Sequence, residues 1–395
     1  MASCHLGKTR PPSFIRSVTM MASPTAESEI ATRPEFPCRR RLLAIGLATM
    51  AQSAFAAAAM GQGVGGARRP PPRVIPARQT RSNREELHLS AVGVNWFCTV
   101  HLPPSYRPDA GLPLVIILHG SGGMGATMLE KSGWAKKADE AGFVAVAPDG
   151  LAMSPGRTSN FFANPRIWNA GQLEPDAPRA RIDDVGFFRK LLDELQTRYG
   201  TDPNRVYVTG HSNGAAMTFR LAVELSDRIT AVAPVSSICW IKDPKPVRPI
   251  PTLFICGAND PLVPVMGGES VLPWGKRTTH PIAETLRIWA EALECPTKPN
   301  TTKQLDQAQY FVYGPGRDGA MLTAYLVEAQ GHNWPGGKQI VPFLMGPDNH
   351  RFRATDIIWD FFANQTRPAD SPRSSRNGPR TRDGRVLTEP TLIIR

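Results

Sequence analysis

Apolar residues in this chain gather into short, nearly continuous runs, each followed by a longer amphipathic or polar stretch. Such runs stand at Leu114–Leu118, Phe143–Ala147, Val206–Val208, 231–235, Thr252–Cys256 and Leu322–Val327. Runs of four to eight apolar residues suit strands buried on both faces. Between them the period changes. Val185, Phe188, Leu192, Leu195 and Tyr199 recur at spacings of three and four, which is one face of a helix. Asp183 and Asp184 suit that helix's N-terminus. Helices are also predicted over 126–141, 215–221, 281–294 and 355–364. Upstream, Leu87–Leu89 and Trp96–Leu102 read as an antiparallel pair closed by Pro103 and Pro104. Alternating strands and helices predict a mostly parallel sheet with helices on both faces. Such sheets carry their sites at the carboxyl ends of strands.

One of those ends holds Gly210-His211-Ser212-Asn213-Gly214, between a predicted strand and a predicted helix. A serine on a tight turn in that setting projects its hydroxyl toward a ligand, and the glycines leave room around it. In the fold that uses this turn, an acid and then a histidine follow in chain order. Asp260, after the strand Thr252–Cys256, is the candidate acid. Its rival Asp149 precedes the serine, and the order favours Asp260. His332, after the last strand, is the candidate base. His280 and His350 read as surface residues, and His119 as a loop-holding one. The loop His119-Gly120-Ser121-Gly122-Gly123 resembles a segment that donates one main-chain N–H to an oxyanion. Ser121 and Asn213 are therefore the expected donors, both through rigid main chain.

Composition narrows the picture. The chain has 395 residues and a formal charge of +12, which by itself suggests a nucleic-acid partner. Residues 1–84 hold 13 Lys/Arg against 3 Asp/Glu, and residues 367–395 hold 7 against 3, so 85–366 carries 26 against 28. The basic excess belongs to the ends, and no nucleic-acid footprint is expected on the domain. The expected organisation is an N-terminal extension and export signal (1–56), a Gly/Pro/Arg linker (57–84), a catalytic domain (85–366) and a basic tail (367–395). Arg39-Arg40-Arg41, the apolar run Leu42–Met50 and Ala54-Phe55-Ala56 have the order of an export signal, and the arginines suit the twin-arginine route. The expected location is extracellular or periplasmic, without stable membrane insertion after cleavage. Export permits disulfides among Cys98, Cys239, Cys256 and Cys295, with three connectivities possible; Cys98 and Cys256 also suit buried thiols. No cysteine or histidine spacing suggests a metal site.

Five pieces together resemble the polyhydroxybutyrate depolymerase and feruloyl or acetylxylan esterase family. They are Leu118-His119-Gly120-Ser121-Gly122-Gly123, Trp168-Asn169-Ala170-Gly171, Asp183-Asp184-Val185-Gly186-Phe187, the stretch Asp202–Gly214, and Gly331-His332-Asn333-Trp334-Pro335-Gly336-Gly337. They span roughly residues 90–365. The resemblance implies an α/β-hydrolase fold and a secreted carboxylesterase with Ser212, Asp260 and His332 as its triad. Two departures stand out. Ser121 occupies a position where many members carry cysteine, and no appended substrate-binding domain is visible. The residues then imply ester hydrolysis through an acyl-enzyme, without a cofactor. Trp168 and Trp334, with Phe161 and Phe162, are expected to wall the substrate pocket. Soluble feruloyl, acetyl or short hydroxybutyrate esters rank above solid polyhydroxybutyrate. A serine peptidase and a non-catalytic binding module are the rival classes.

Overall fold

The computed structural model describes residues 83–338 and 342–367. The predicted signal, nearly all of the linker and nearly all of the tail lie outside them. The chain begins with an antiparallel hairpin, β1 (Arg84–Ala91) and β2 (Val94–His101), then enters β3 (Leu114–Leu118). Two short helices follow, α1 (Gly125–Lys131) and α2 (Trp134–Ala141). After β4 (Val144–Pro148) comes a small separate ribbon of β5 (Leu151–Ala152) and β6 (Arg166–Ile167). Then follow α3 (Asp184–Tyr199), β7 (Val206–His211), α4 (Asn213–Glu224), β8 (Ala231–Val235) and β9 (Thr252–Gly257). A second hairpin, β10 (Gly268–Leu272) and β11 (Gly275–Thr279), precedes α5 (Ile282–Ala292). The chain closes with β12 (Thr301–Gln304), β13 (Ala308–Tyr313), β14 (Leu322–Val327), the single turn α6 (Pro342–Met345) and α7 (Ala354–Ala363).

Ten strands form one sheet in the order β1-β2-β4-β3-β7-β8-β9-β14-β13-β12. The six from β4 to β14 run parallel, and an antiparallel pair extends each edge. This is the mostly parallel α/β sheet the sequence predicts. The strand side chains divide strictly by parity. Leu114, Ile116 and Leu118 of β3 pack with α3, α4 and α5, whereas Val115 and Ile117 pack with α1, α2 and α7. Both faces are covered, so the central strands are apolar at most positions, with buried Thr209 and Thr252 hydrogen-bonded. Each large side chain buried there stabilises the fold by about 1.5–3 kcal/mol.

Two local features differ from expectation. The predicted helix 126–141 is two helices, because Gly133 adopts φ 81° and interrupts the hydrogen-bond ladder. Helix α3 is capped by Asp183, whose side chain accepts from the Gly186 N–H at 2.8 Å. Its neighbour Asp184 is fully buried against Arg179 in a two-point ion pair of 2.7 and 2.6 Å. Arg179 also donates to the carbonyl of Ile167 at 2.9 Å, tying the β6 segment to α3. Burial raises the Asp184 pKa, opposed by the adjacent guanidinium. Among the described residues, no helix is long and apolar enough to cross a membrane.

Candidate active site

The turn between β7 and α4 is forced by close approach. A Cβ on Gly210 would lie 2.5 Å from the main chain of Gly214, and one on Gly214 would lie 2.4 Å from the carbonyl oxygen of Leu118. Only glycine fits at either position. Between them Ser212 takes φ 55° and ψ −120°, a strained backbone for a residue with a side chain. The strain is held by main-chain bonds: Ser212 N–H donates to Val235 at 2.9 Å, and Ala216 N–H donates to Ser212 at 3.0 Å.

Asp260 follows β9 on a short loop. Its Oδ1 accepts from the N–H groups of Leu262 and Val263, both at 2.8 Å, so the carboxylate is fixed by its own turn. Its Oδ2 lies 2.7 Å from His332 Nδ1, and His332 Nε2 lies 2.8 Å from Ser212 Oγ. A carboxylate only accepts, so Nδ1 carries the proton and Nε2 offers its lone pair to the serine hydroxyl. All three side chains are buried. The structure thus joins Ser212, His332 and Asp260 in one hydrogen-bonded chain. Asp149 is engaged elsewhere: it accepts from the Gly125 N–H at 2.6 Å and faces Arg166 at 3.6 Å. His280 contacts Thr285, and His350 faces Asp348.

The loop bearing His332 is pinned from several sides. Gly331 N–H donates to Pro347 at 2.7 Å, and His332 N–H to Met345 at 2.6 Å. His211 Nε2–H donates to the carbonyl of His332 at 2.8 Å. Burial, reinforced by the neighbouring His332, pushes the His211 pKa down to about 3. Sequence reading passed over His211, which carries no motif signal beyond standing inside the serine pentapeptide.

His119 holds the next loop. Its Nδ1–H donates to the Gly120 carbonyl at 2.7 Å, and its Nε2 accepts from the Gly150 N–H at 2.8 Å. Burial lowers its pKa. The loop lies against the serine, since a Cβ on Gly120 would sit 3.1 Å from Ser212 Cβ. Neither the Ser121 nor the Asn213 N–H has a hydrogen-bond partner among the described residues. The Asn213 side chain is locked to the main chain of Trp168 by bonds of 2.7 and 3.0 Å.

Ser212 and His332 open onto a cavity of about 230 Å³. Its apolar walls are Met124, Phe161, Leu262, Leu272, Trp274 and Met345. Two expectations are corrected here. Trp168 is fully buried in the core, near-parallel to Trp96 at 6.2 Å, with its N–H on the carbonyl of His119. Trp334 is buried too, its N–H on Thr355. Neither lines the cavity; both hold the loops that do. Phe161 does line it, edge-on to Trp274 at 5.8 Å, whereas Phe162 stands 68 % exposed. The β10–β11 hairpin supplies Leu272, Trp274 and Arg277, none of which was named from sequence. Its signal was available: a Pro273-Trp274-Gly275 turn between two short polar strands.

The four described cysteines, Cys98, Cys239, Cys256 and Cys295, are free and buried. Burial raises the thiol pKa of each, that of Cys239 to about 12. Among the described residues, no group of three His, Cys, Asp or Glu side chains could hold a metal ion.

The chain shares sequence with known esterases. The chain is 29 % identical to "Putative esterase NocK" of Nocardia uniformis over 86 % of its own length and 89 % of that protein's. It is 28 % identical to feruloyl esterase B of Piromyces equi, over 60 % of this chain but only 43 % of that protein. An acetyl xylan esterase structure from Aspergillus awamori aligns with 63 % of this chain and 94 % of that one, at 15 % identity and a TM-score of 0.45. The family described as "Putative esterase" matches residues 91–318, more than half of the chain and, in chain order, the elements from β2 to β13, and the protein belongs to that esterase family.

Proposed function

We propose that this esterase is a serine enzyme that cleaves soluble esters through an acyl-enzyme. The observation that carries the reading is the hydrogen-bonded chain from Asp260 through His332 to Ser212, opening onto an apolar cavity. His332 takes the serine proton as Ser212 attacks the ester carbonyl. Asp260 holds the ring in the tautomer this requires and stabilises the imidazolium that forms. The main-chain N–H groups of Ser121 and Asn213 receive the developing oxyanion at no reorganisation cost. His332 then protonates the departing alkoxide, and a water activated by the same ring hydrolyses the acyl-enzyme. No cofactor takes part.

The acyl groups in view are feruloyl and acetyl groups on polysaccharide fragments, and short hydroxyalkanoates. A cavity of about 230 Å³ suits these better than a long chain. The Piromyces relative, named a feruloyl esterase, supports the first class. Export to the periplasm or the medium, by the twin-arginine route, is part of the proposal and rests on Arg39-Arg40-Arg41 and the apolar run behind them. The decisive experiment is turnover of 4-nitrophenyl esters by variants of the triad. Ser212→Ala should lose roughly 10⁴-fold or more while remaining folded, and Asp260→Asn and His332→Ala should also be severe without adding to it. Near wild-type turnover by Asp260→Asn, with Asp149→Asn inactive, would reverse the acid assignment. Cleavage of peptides but not esters would move the protein to the peptidase class.

A further inference from the structure

One side chain in the cavity is out of keeping with its walls. Arg277, on β11, is the one Lys or Arg among the residues that line it. A guanidinium withdrawn from water normally has a carboxylate beside it, as Arg179 has Asp184. Arg277 has none within ion-pair distance among the described residues. Among the described residues its Nε is buried without a partner, and Nη2 reaches the carbonyl of Leu262 at 3.4 Å. The indole of Trp240 lies 6.0 Å away, a weak contact at best. Asp260 is already committed to His332 and to two N–H groups of its own turn.

The position is nevertheless built. Arg277 pairs in register with Ser270, whose hydroxyl points at its carbonyl at 3.4 Å. Trp274 and Leu272, from the same hairpin, form the adjoining wall. Burial lowers the Arg277 pKa, opposed by the more distant Asp260 carboxylate, and a guanidinium keeps its charge at any pH the protein meets. A cation with no carboxylate bonded to it beside apolar walls is costly, and an anion brought in by a ligand offsets that cost.

We propose that Arg277 binds a carboxylate carried by the substrate, so that the preferred esters are those with a free carboxylate a few atoms from the scissile carbonyl. Half-esters of short dicarboxylic acids carry it on the acyl side. Hydroxyalkanoate oligomers with a free acid end carry it on the leaving alcohol. The planar fork of arginine takes a carboxylate through two parallel N–H···O bonds, which fixes orientation as well as affinity. The inference rests on the esterase reading, and narrows its substrate class away from neutral polysaccharide esters.

Two matched pairs test it: 4-nitrophenyl hydrogen adipate against 4-nitrophenyl hexanoate, and hydroxybutyrate dimer as the free acid against its terminal amide. The wild-type protein should prefer the charged member of at least one pair by about tenfold or more in kcat/KM, chiefly through KM. Arg277→Gln should erase that ratio, and Arg277→Lys should restore part of it. A residue that only positions Asp260 would lower both members of a pair equally and leave the ratio intact. Equal or poorer turnover of the charged ester in both wild-type pairs overturns the proposal, whether or not the variants fold. Turnover of none of the four refutes the esterase reading instead; calorimetric binding of adipate, absent in Arg277→Gln, would then still report the anion site.

Discussion

His211 makes the protein's stability depend on pH in a calculable way. The ring sits at the end of β7, donates from Nε2 to the His332 carbonyl at 2.8 Å, and lies 5.0 Å from the His332 ring. Burial, then the neighbouring histidine, pushes its pKa from 6.5 down to about 3. The native state therefore refuses a proton that the unfolded chain accepts below pH 6.5. A group with a depressed folded pKa contributes stability above its unfolded value and loses it as pH falls. Here the loss begins near pH 6.5 and runs toward pH 3. At pH 5 the unfolded ring is almost wholly protonated and the native ring almost wholly neutral, which destabilises the fold by about 2 kcal/mol relative to neutral pH. Any native pKa below about 4 leaves that figure nearly unchanged, so the prediction hangs on burial and not on the size of the shift. Urea unfolding of the wild type and of His211→Gln at pH 5 to 7.5 isolates the contribution. His119, also lowered by burial, remains in both proteins and cancels. The wild type should lose about 2 kcal/mol more than the variant across that range. Parallel curves would mean that the native ring takes a proton as readily as the unfolded chain.

Arg179→Met strands the fully buried Asp184 without its partner, and should cost about 3–5 kcal/mol by urea or thermal unfolding. Adding Asp184→Leu should recover most of that loss; no recovery would mean that the bond to Ile167 matters more than the ion pair. Gly214→Ala places a methyl 2.4 Å from the Leu118 carbonyl and 2.6 Å from that of His119, both rigid main chain. Destabilisation of at least about 3 kcal/mol, with loss of ester turnover, should follow, and a stable, active variant would show that the turn can open. The cavity volume is about 230 Å³. Across 4-nitrophenyl acetate to laurate, kcat/KM should peak at short acyl chains and fall by about tenfold or more at laurate. A maximum at the long end would show that the walls part.

What sequence could reveal of this protein follows from where constraint is local. The strands 231–235 and Thr252–Gly257 are legible because both faces of each are covered, so apolar residues run on, and Leu322–Val327 because it is mostly apolar although several of its residues are only half-buried. The two edge pairs contrast. Trp96–Leu102 carries enough apolar residues to be read, whereas Thr301–Gln304 is polar and largely exposed and has no signal until its partner is known. The break at Gly133 was equally hidden, because apolar spacing continues across it into Trp134 and Ala135. At the site, Ser212, Asp260 and His332 could be named because a parallel sheet delivers successive strand ends to one edge, so chain order stands in for spatial order.

The cavity walls have no such surrogate. A tryptophan beside a site motif is equally suited to supporting a loop from behind and to facing a ligand, and its large apolar area favours burial. Trp168 and Trp334 went that way because each N–H found an acceptor inside, on His119 and on Thr355. The walls came instead from a hairpin inserted between the acid and the histidine, where Leu272 and Trp274 alternate with exposed neighbours. Arg277 shows the limit most plainly. In sequence it is one arginine in a Lys-Arg pair on a polar strand, and the ordinary reading is a solvated face. What distinguishes it is a half-buried guanidinium with no ion-pair partner among the described residues, and that is a property of the assembled cavity. A catalytic group must meet its partners in a fixed order along known strand ends, so its position leaves a trace in the chain. A specificity group needs only to face the ligand, from any element that reaches the opening, and so leaves none.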